Sequence, residues 1–121
     1  MNKEKVLVIG ASENEARFSN KAIKLLKSKG YDVFAVGRKK GVVDDVVIHS
    51  KPIPLAGVDT ISLYLRPENQ KEYSNYIDSV HPKRVIFNPG AEHPEFADQL
   101  NAKGIKTEDA CTLVLLNMGA F

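Results

Sequence analysis

The stretch VLVIGASENEARFSNKAI, Val6 to Ile23, decides the fold. Residues 6–9 are an apolar, largely β-branched run that stops at Gly10. That pattern belongs to a strand buried on both faces, and so to the middle of a parallel sheet. Small and polar residues follow, and then a helical period begins. A helix is predicted over residues 19–29, with Ser19 or Asn20 as its cap and Ala22, Ile23, Leu25 and Leu26 as its apolar stripe. Its lysines point outward, and Gly30 stands at the position just past its end. Strand, loop and helix in this order open a βαβ unit, although the loop lacks the G-x-G-x-x-G spacing of dinucleotide enzymes.

Outward from this unit the alternation continues. Strands are predicted at Asp32–Val36, Val46–Ile48, Thr60–Leu65, Arg84–Phe87 and Ile105–Thr107. The segment KPIPLAG, with its two prolines, reads as a loop. Pro67 sits where a helix would start, and Tyr73, Tyr76, Ile77 and Val80 then share one helical face until His81-Pro82. A third helix is expected over Pro94–Lys103, with Phe96, Ala97 and Leu100 inward and Gly104 closing it. Thr112–Met118 reads as a short C-terminal helix. Alternating strands and helices predict an α/β fold: a parallel sheet covered on both faces. Right-handed crossovers make it a Rossmann-like, doubly wound, three-layer α/β/α domain over residues 1–121, with strand order 3-2-1-4-5 and room for a sixth strand.

Bulk properties narrow the function. A chain of 121 residues suits one domain and buries about 65–70% of its unfolded surface, enough for a core without disulfides. Seventeen basic and fifteen acidic residues leave a net charge of +2, too weak for the basic face that nucleic-acid binding requires. The apolar runs are too short for a membrane span. The N-terminus runs straight into a strand without a signal-peptide pattern. The one cysteine, Cys111, fits a reducing cytoplasm and provides no thiolate metal cluster.

The predicted topology also locates a site. Ligands of open α/β sheets lie beyond the carboxyl ends of the strands, where the strand order reverses. Here that point lies beside the loops GASENEARFSN and LRPEN. Gly10, Ala11 and Ser12 let a ligand approach the backbone, and the helix that follows offers free N–H groups and a positive dipole end to an anion such as pyrophosphate. Ser12, Ser19 and Asn20 add donors and Arg17 adds a charge. The second strand ends in Val36-Gly37-Arg38-Lys39-Lys40, without the carboxylate that NAD-binding domains place there. A cationic site beside an adenosine ribose suits a ribose phosphate, at the 2′ position in NADP or the 3′ position in coenzyme A.

At these residues the chain resembles the small, single-domain CoA-binding proteins, related in fold to the CoA-binding domain of the succinyl-CoA synthetase α subunit. The resemblance rests on VIGAS (8–12), Arg17 to Asn20, GYDVFAVGR (30–38), VDTISLYLRP (58–67), FNPG (87–90) and GIKTEDAC (104–111), in that order along nearly the whole chain. It implies a nucleotide-binding module that holds CoA or acyl-CoA without a catalytic step. Carried over position by position, pyrophosphate would lie against Gly10, Ala11 and Ser12, with Arg17 and Ser19 nearby. Gly37 and Arg38 would meet the adenosine end. Leu65, Arg66 and Pro67 would border the adenine or pantetheine, and Asn88, Pro89 and Gly90 the far wall. The chain departs from many relatives at Gly37-Arg38, where they carry Asn-Pro, and at Ile86 to Gly90, where they carry W-x-x-P-G.

Two further readings stay open beside it: an NADP-dependent oxidoreductase, and an interaction subunit without ligand. Cys111 faces either the crevice, where it could pair with the pantetheine thiol, or the core as a small hydrophobe. His93, before Pro94, reads as a helix-start residue, and no catalytic triad or metal site can be assembled from spacing. The C-terminal run LVLLNMGAF suggests a homodimer contact.

Overall fold

The computed structural model describes residues 4–121. Its seven strands are β1 (Lys5–Ile9), β2 (Asp32–Val36), β3 (Gly41–Val43), β4 (Val46–His49), β5 (Thr60–Leu63), β6 (Arg84–Phe87) and β7 (Lys106–Asp109). They form one sheet in the order β3-β4-β2-β1-β5-β6-β7. Every neighbouring pair is parallel except β3 with β4. Without β3 this is the doubly wound order expected from the sequence, with the sixth strand in place.

Strand β3 lies in a stretch for which the sequence pattern predicts no strand. It pairs Val42 with Val47 and Val43 with Val46 around the two-residue turn Asp44-Asp45. Both aspartates have positive φ (45° and 69°), which the tight turn of such a hairpin requires. The last strand is shifted: Ile105 is buried just before β7, and pairing runs on to Asp109. Strand β5 ends at Leu63, two residues early, because the chain bends away after Tyr64.

Five helices cover the sheet: α1 (Phe18–Ser28), α2 (Pro67–Gln70), α3 (Ser74–Val80), α4 (Pro94–Ala102) and α5 (Thr112–Asn117), with a 3-10 turn at Lys71–Tyr73. The alternation of side chains along β1 divides the core in two. Val6 and Val8 pack with Ile23 and Leu26 of α1 and Leu116 of α5. Leu7 and Ile9 pack with Ile77 of α3 and Leu100 of α4. The Tyr73/Tyr76 face packs against this second cluster, and the Tyr76 hydroxyl donates to the Ile53 carbonyl at 2.7 Å. Tyr76 thereby anchors the proline-containing loop.

At the amino ends of the strands Asp59 accepts from the Lys5 amide (2.8 Å) and pairs with Lys83 (3.0 Å). The amide bond first, and Lys83 second, hold its carboxyl below the ordinary aspartate range. A depressed folded pKa means that the unfolded chain binds the proton more readily. Stability from Asp59 is therefore complete above the usual aspartate pKa and is lost as pH falls through the folded value. Replacing Asp59 by alanine should cost about 1.5 kcal/mol at pH 7 and much less in strong acid. Urea denaturation of both proteins at the two pH values measures the difference.

Candidate ligand-binding crevice

A crevice of about 280 Å³ opens at the carboxyl ends of β1, β5 and β6. Gly10, Ala16, Arg17, Phe18, Ser19, Tyr64, Arg66, Pro89 and Gly90 line it. It lies where the topology reverses: β1 continues through α1 to β2 on one side, while β5 and β6 lie on the other. Strand β1 delivers Gly10 to its floor at φ +92°, a conformation that side chains disfavour. A Cβ there would also stand 3.1 Å from the Tyr64 backbone.

The expected helix caps need correction. The N-cap of α1 is Arg17, in extended conformation and without a side-chain cap. Ser19 and Asn20 lie inside the first turn and are buried. The Asn20 side-chain amide donates back to the Ser12 carbonyl at 3.0 Å, which fixes the loop, while its Oδ1 is buried without a partner. The first backbone bond of the helix joins the Lys21 amide to the Arg17 carbonyl at 3.3 Å. The amides of Phe18, Ser19 and Asn20 precede it and have no intrahelical acceptor.

The anion cradle is likewise different from the sequence reading. The Gly10 and Ala11 amides both donate to the Val36 carbonyl, at 2.9 and 3.0 Å. They are not free for a phosphate. The Ser12 hydroxyl accepts from the Asn14 amide at 3.0 Å and so shapes the loop. The free donors lie one turn further along, on α1.

Charge is arranged to match. The loop's carboxylates are engaged away from the crevice: Glu15 pairs with Lys24 at 2.9 Å, and Glu13 accepts from the Val42 amide at 2.9 Å. Neither Arg17 nor Arg66 takes part in an ion pair among the described residues; the pairs join Lys24–Glu15, Lys83–Asp59, Arg84–Glu108 and Lys103–Asp78. A second opening, at the amino ends of the strands, includes Asp59, Lys83 and Arg84, but these charges are already paired.

Of the residues expected from sequence, Gly10, Arg17, Ser19, Arg66, Pro89 and Gly90 come together in the crevice. The others do not line it. Ala11 and Gly37 are buried against each other: a Cβ on Gly37 would stand 2.2 Å from the Ala11 carbonyl oxygen. Arg38 is exposed at the end of β2. It lies close enough to Tyr73 to oppose, weakly, the upward pKa shift that burial imposes on that hydroxyl. Leu65 packs on the core and Pro67 starts α2. Asn88, expected on the far wall, is only 1% exposed. Its amide donates to the Ser62 hydroxyl (3.0 Å) and the Leu63 carbonyl (3.1 Å), and its oxygen accepts from the Thr112 amide (2.8 Å). It ties β5, β6 and α5 together. Cys111 is the half-buried N-cap of α5.

Sequence reasoning missed Ala16, Phe18 and Tyr64. Burial pushes the Tyr64 hydroxyl pKa up; the neighbouring Ser62 and Thr112 hydroxyls oppose the shift without reaching hydrogen-bond geometry. Tyr64 read as an ordinary strand residue, and Phe18 as part of a polar loop. Phe18 is 61% exposed at the crevice mouth, an apolar ring without a core to join.

Comparison with known proteins supplies the family. A family model described as a CoA binding domain matches residues 4–117. The chain belongs to the CoA-binding domain family. A crystal structure of an uncharacterized protein shares 43% identity with this CoA-binding domain, with a TM-score of 0.96 and full coverage of both chains. A hypothetical protein from Pyrococcus horikoshii OT3 has 23% identity and a TM-score of 0.84, over 97% of this chain and 84% of its own. A Thermus thermophilus protein has 20% identity and a TM-score of 0.84, over 98% of this chain and 91% of its own. The last two likenesses concern the fold alone. Comparison with curated proteins finds no match. No helix among the described residues of the CoA-binding domain is long and apolar enough to cross a membrane.

Proposed function

We propose that this CoA-binding domain holds coenzyme A with its diphosphate at the N-terminus of α1, between Arg17 and Arg66. The observation that carries this reading is the meeting of three things at one crevice: the guanidinium groups of Arg17 and Arg66, outside every ion pair among the described residues, the uncapped start of α1 at Phe18 and Ser19, and Gly10 in the floor. Helix N-termini favour anions through both free N–H groups and the dipole, and guanidinium binds phosphate oxygens in pairs. The crevice, about 280 Å³, suits a diphosphate and its adjoining groups rather than a whole nucleotide. The adenosine would then run over the Ala11–Gly37 contact toward Arg38, and the pantetheine past Phe18 and Pro89. CoA is the chemistry these residues receive; the bound thiol could be free or acylated, and the module would act as a cytoplasmic carrier, sensor or partner subunit.

Arg38 provides the discriminating experiment. Replacing Arg38 by alanine should weaken CoA about tenfold, as expected for one lost charge-assisted contact, and leave dephospho-CoA nearly unchanged. Isothermal titration of both ligands reads the two effects; equal losses would remove Arg38 from the 3′-phosphate. NADPH in the same titration tests the alternative ligand with a 2′-phosphate. The exposed Val114 on α5 and Met118 at its C-cap keep a homodimer contact as a proposal, and sedimentation across a concentration series tests it.

A further inference from the structure

Resting on the CoA reading above, we infer that Gln70 is a positioning residue: its buried side-chain amide fixes the separation of the two crevice walls and thereby sets the affinity for CoA. Gln70 ends α2, a helix of four residues, and is 1% exposed. A long polar side chain is rarely buried so completely unless its hydrogen bonds are met. Here they are. The Nε2 donates to the Leu65 carbonyl at 2.9 Å and to the Ala91 carbonyl at 2.6 Å. Two carbonyl acceptors fix which end of the amide is nitrogen. The Oε1 must then accept, and His93 Nδ1, 3.2 Å away, is its donor. His93 accordingly carries a proton on Nδ1.

The sequence positions of these partners give the bonds their consequence. Leu65 immediately precedes Arg66, on one wall of the crevice, and Ala91 immediately follows Gly90, on the other. Strands β5 and β6 stop pairing at Leu63 and Phe87, and the last bonds between their ends run from Asn88. Beyond Asn88, the hydrogen bonds between the two walls among the described residues are those of Gln70. Arg66 is exposed and stands ahead of α2, in the stretch after β5 has ended, so its wall depends on contacts across the crevice for its position. A small displacement of a positioned charge is enough to change binding strongly, because the support behind it sets its geometry. His93, read from sequence as a helix-start residue and found as the N-cap of α4, serves here as the third member of the tie.

The test compares Gln70→Met with Tyr76→Phe. Methionine keeps the length and volume and removes every bond of the tie. Tyr76→Phe removes one half-buried bond to Ile53, away from the crevice. Gln70→Met is expected to weaken CoA at least tenfold by calorimetry, and Tyr76→Phe to leave CoA within twofold while also lowering the unfolding midpoint. His93→Ala leaves both carbonyl bonds in place and is expected to weaken CoA less than threefold. Hydrogen exchange read by NMR on the free proteins adds a ligand-independent measure: amides of residues 64–66 and 90–92 should exchange faster in Gln70→Met, with β1 and β2 unchanged. A folded Gln70→Met protein with native CoA affinity overturns the inference, as does an equal loss in both variants. If the native protein binds no CoA, the functional reading fails instead. The tie itself is then judged on exchange alone: faster exchange confined to the two walls supports it, and unchanged exchange overturns it.

Discussion

Replacing Gly37 by alanine is expected to destabilise the protein by about 3 kcal/mol or more and to displace the loop after β1. The added methyl would stand 2.2 Å from the Ala11 carbonyl oxygen, 3.1 Å from its carbon and 3.2 Å from the Ile48 side chain. Two of these atoms are backbone, and neither can swing aside. Ala11 is held from the other side, because its own amide is bonded to the Val36 carbonyl at 3.0 Å. The clash therefore pushes apart the ends of β1 and β2, at the base of the crevice. In thermal melts, a loss of this size lowers the midpoint by about 10 °C or more for a chain of this length. Gly41→Ala provides the contrast. A Cβ there would meet the Glu13 side chain at 2.4 Å, a flexible group that can rotate away at the cost of its bond to the Val42 amide. That variant should lose about 1 kcal/mol. Equal midpoints for the two variants would refute the distinction between backbone and side-chain crowding.

Removing both crevice arginines should abolish CoA binding within the range of ordinary calorimetry. Arg17→Ala and Arg66→Ala each take away a charge without breaking an ion pair or opening the core, so folding should be little affected. Hydrogen bonds to a charged ligand contribute about 1.5–3 kcal/mol each, so each single variant should lose about tenfold or more in affinity. The double variant should lose about 100-fold or more. Salt should weaken native binding and affect the double variant much less, since the screened charges are gone. Full CoA affinity in the double variant, with an unchanged melt, would place the diphosphate elsewhere.

The sheet was legible in the sequence because its central strands carry unbroken apolar runs. Val6–Ile9 and Val85–Phe87 are buried on both sides, and no turn residue interrupts them. The edge was harder. Strand β3 is three residues long, and its turn is Asp44-Asp45 rather than an Asn-Gly or Asp-Gly pair, so the usual hairpin signal is missing. The location of the crevice follows from topology, and six of the expected residues do gather there. Their detailed roles depend on hydrogen bonds that sequence does not encode locally. Gly10 and Ala11 resemble a phosphate cradle, yet the Val36 carbonyl takes both amides, because β1 and β2 are still paired at that point. Asn88 and Gln70 have the same chemistry and both turn inward, one to join strands and the other to join loops. Neither role could be read from an amide side chain at the end of a strand or a helix.

The most direct test of the central claim is an NMR titration of amide-labelled protein with coenzyme A. The diphosphate proposed at the start of α1 predicts the largest shifts at the amides of Phe18, Ser19 and Asn20, accompanied by Arg66, with little change at Gly10 and Ala11, whose amides are already bonded within the sheet. Saturation by CoA with the largest shifts around Asp59, Lys83 and Lys106, at the opposite end of the strands, or no shifts at millimolar CoA, would contradict it.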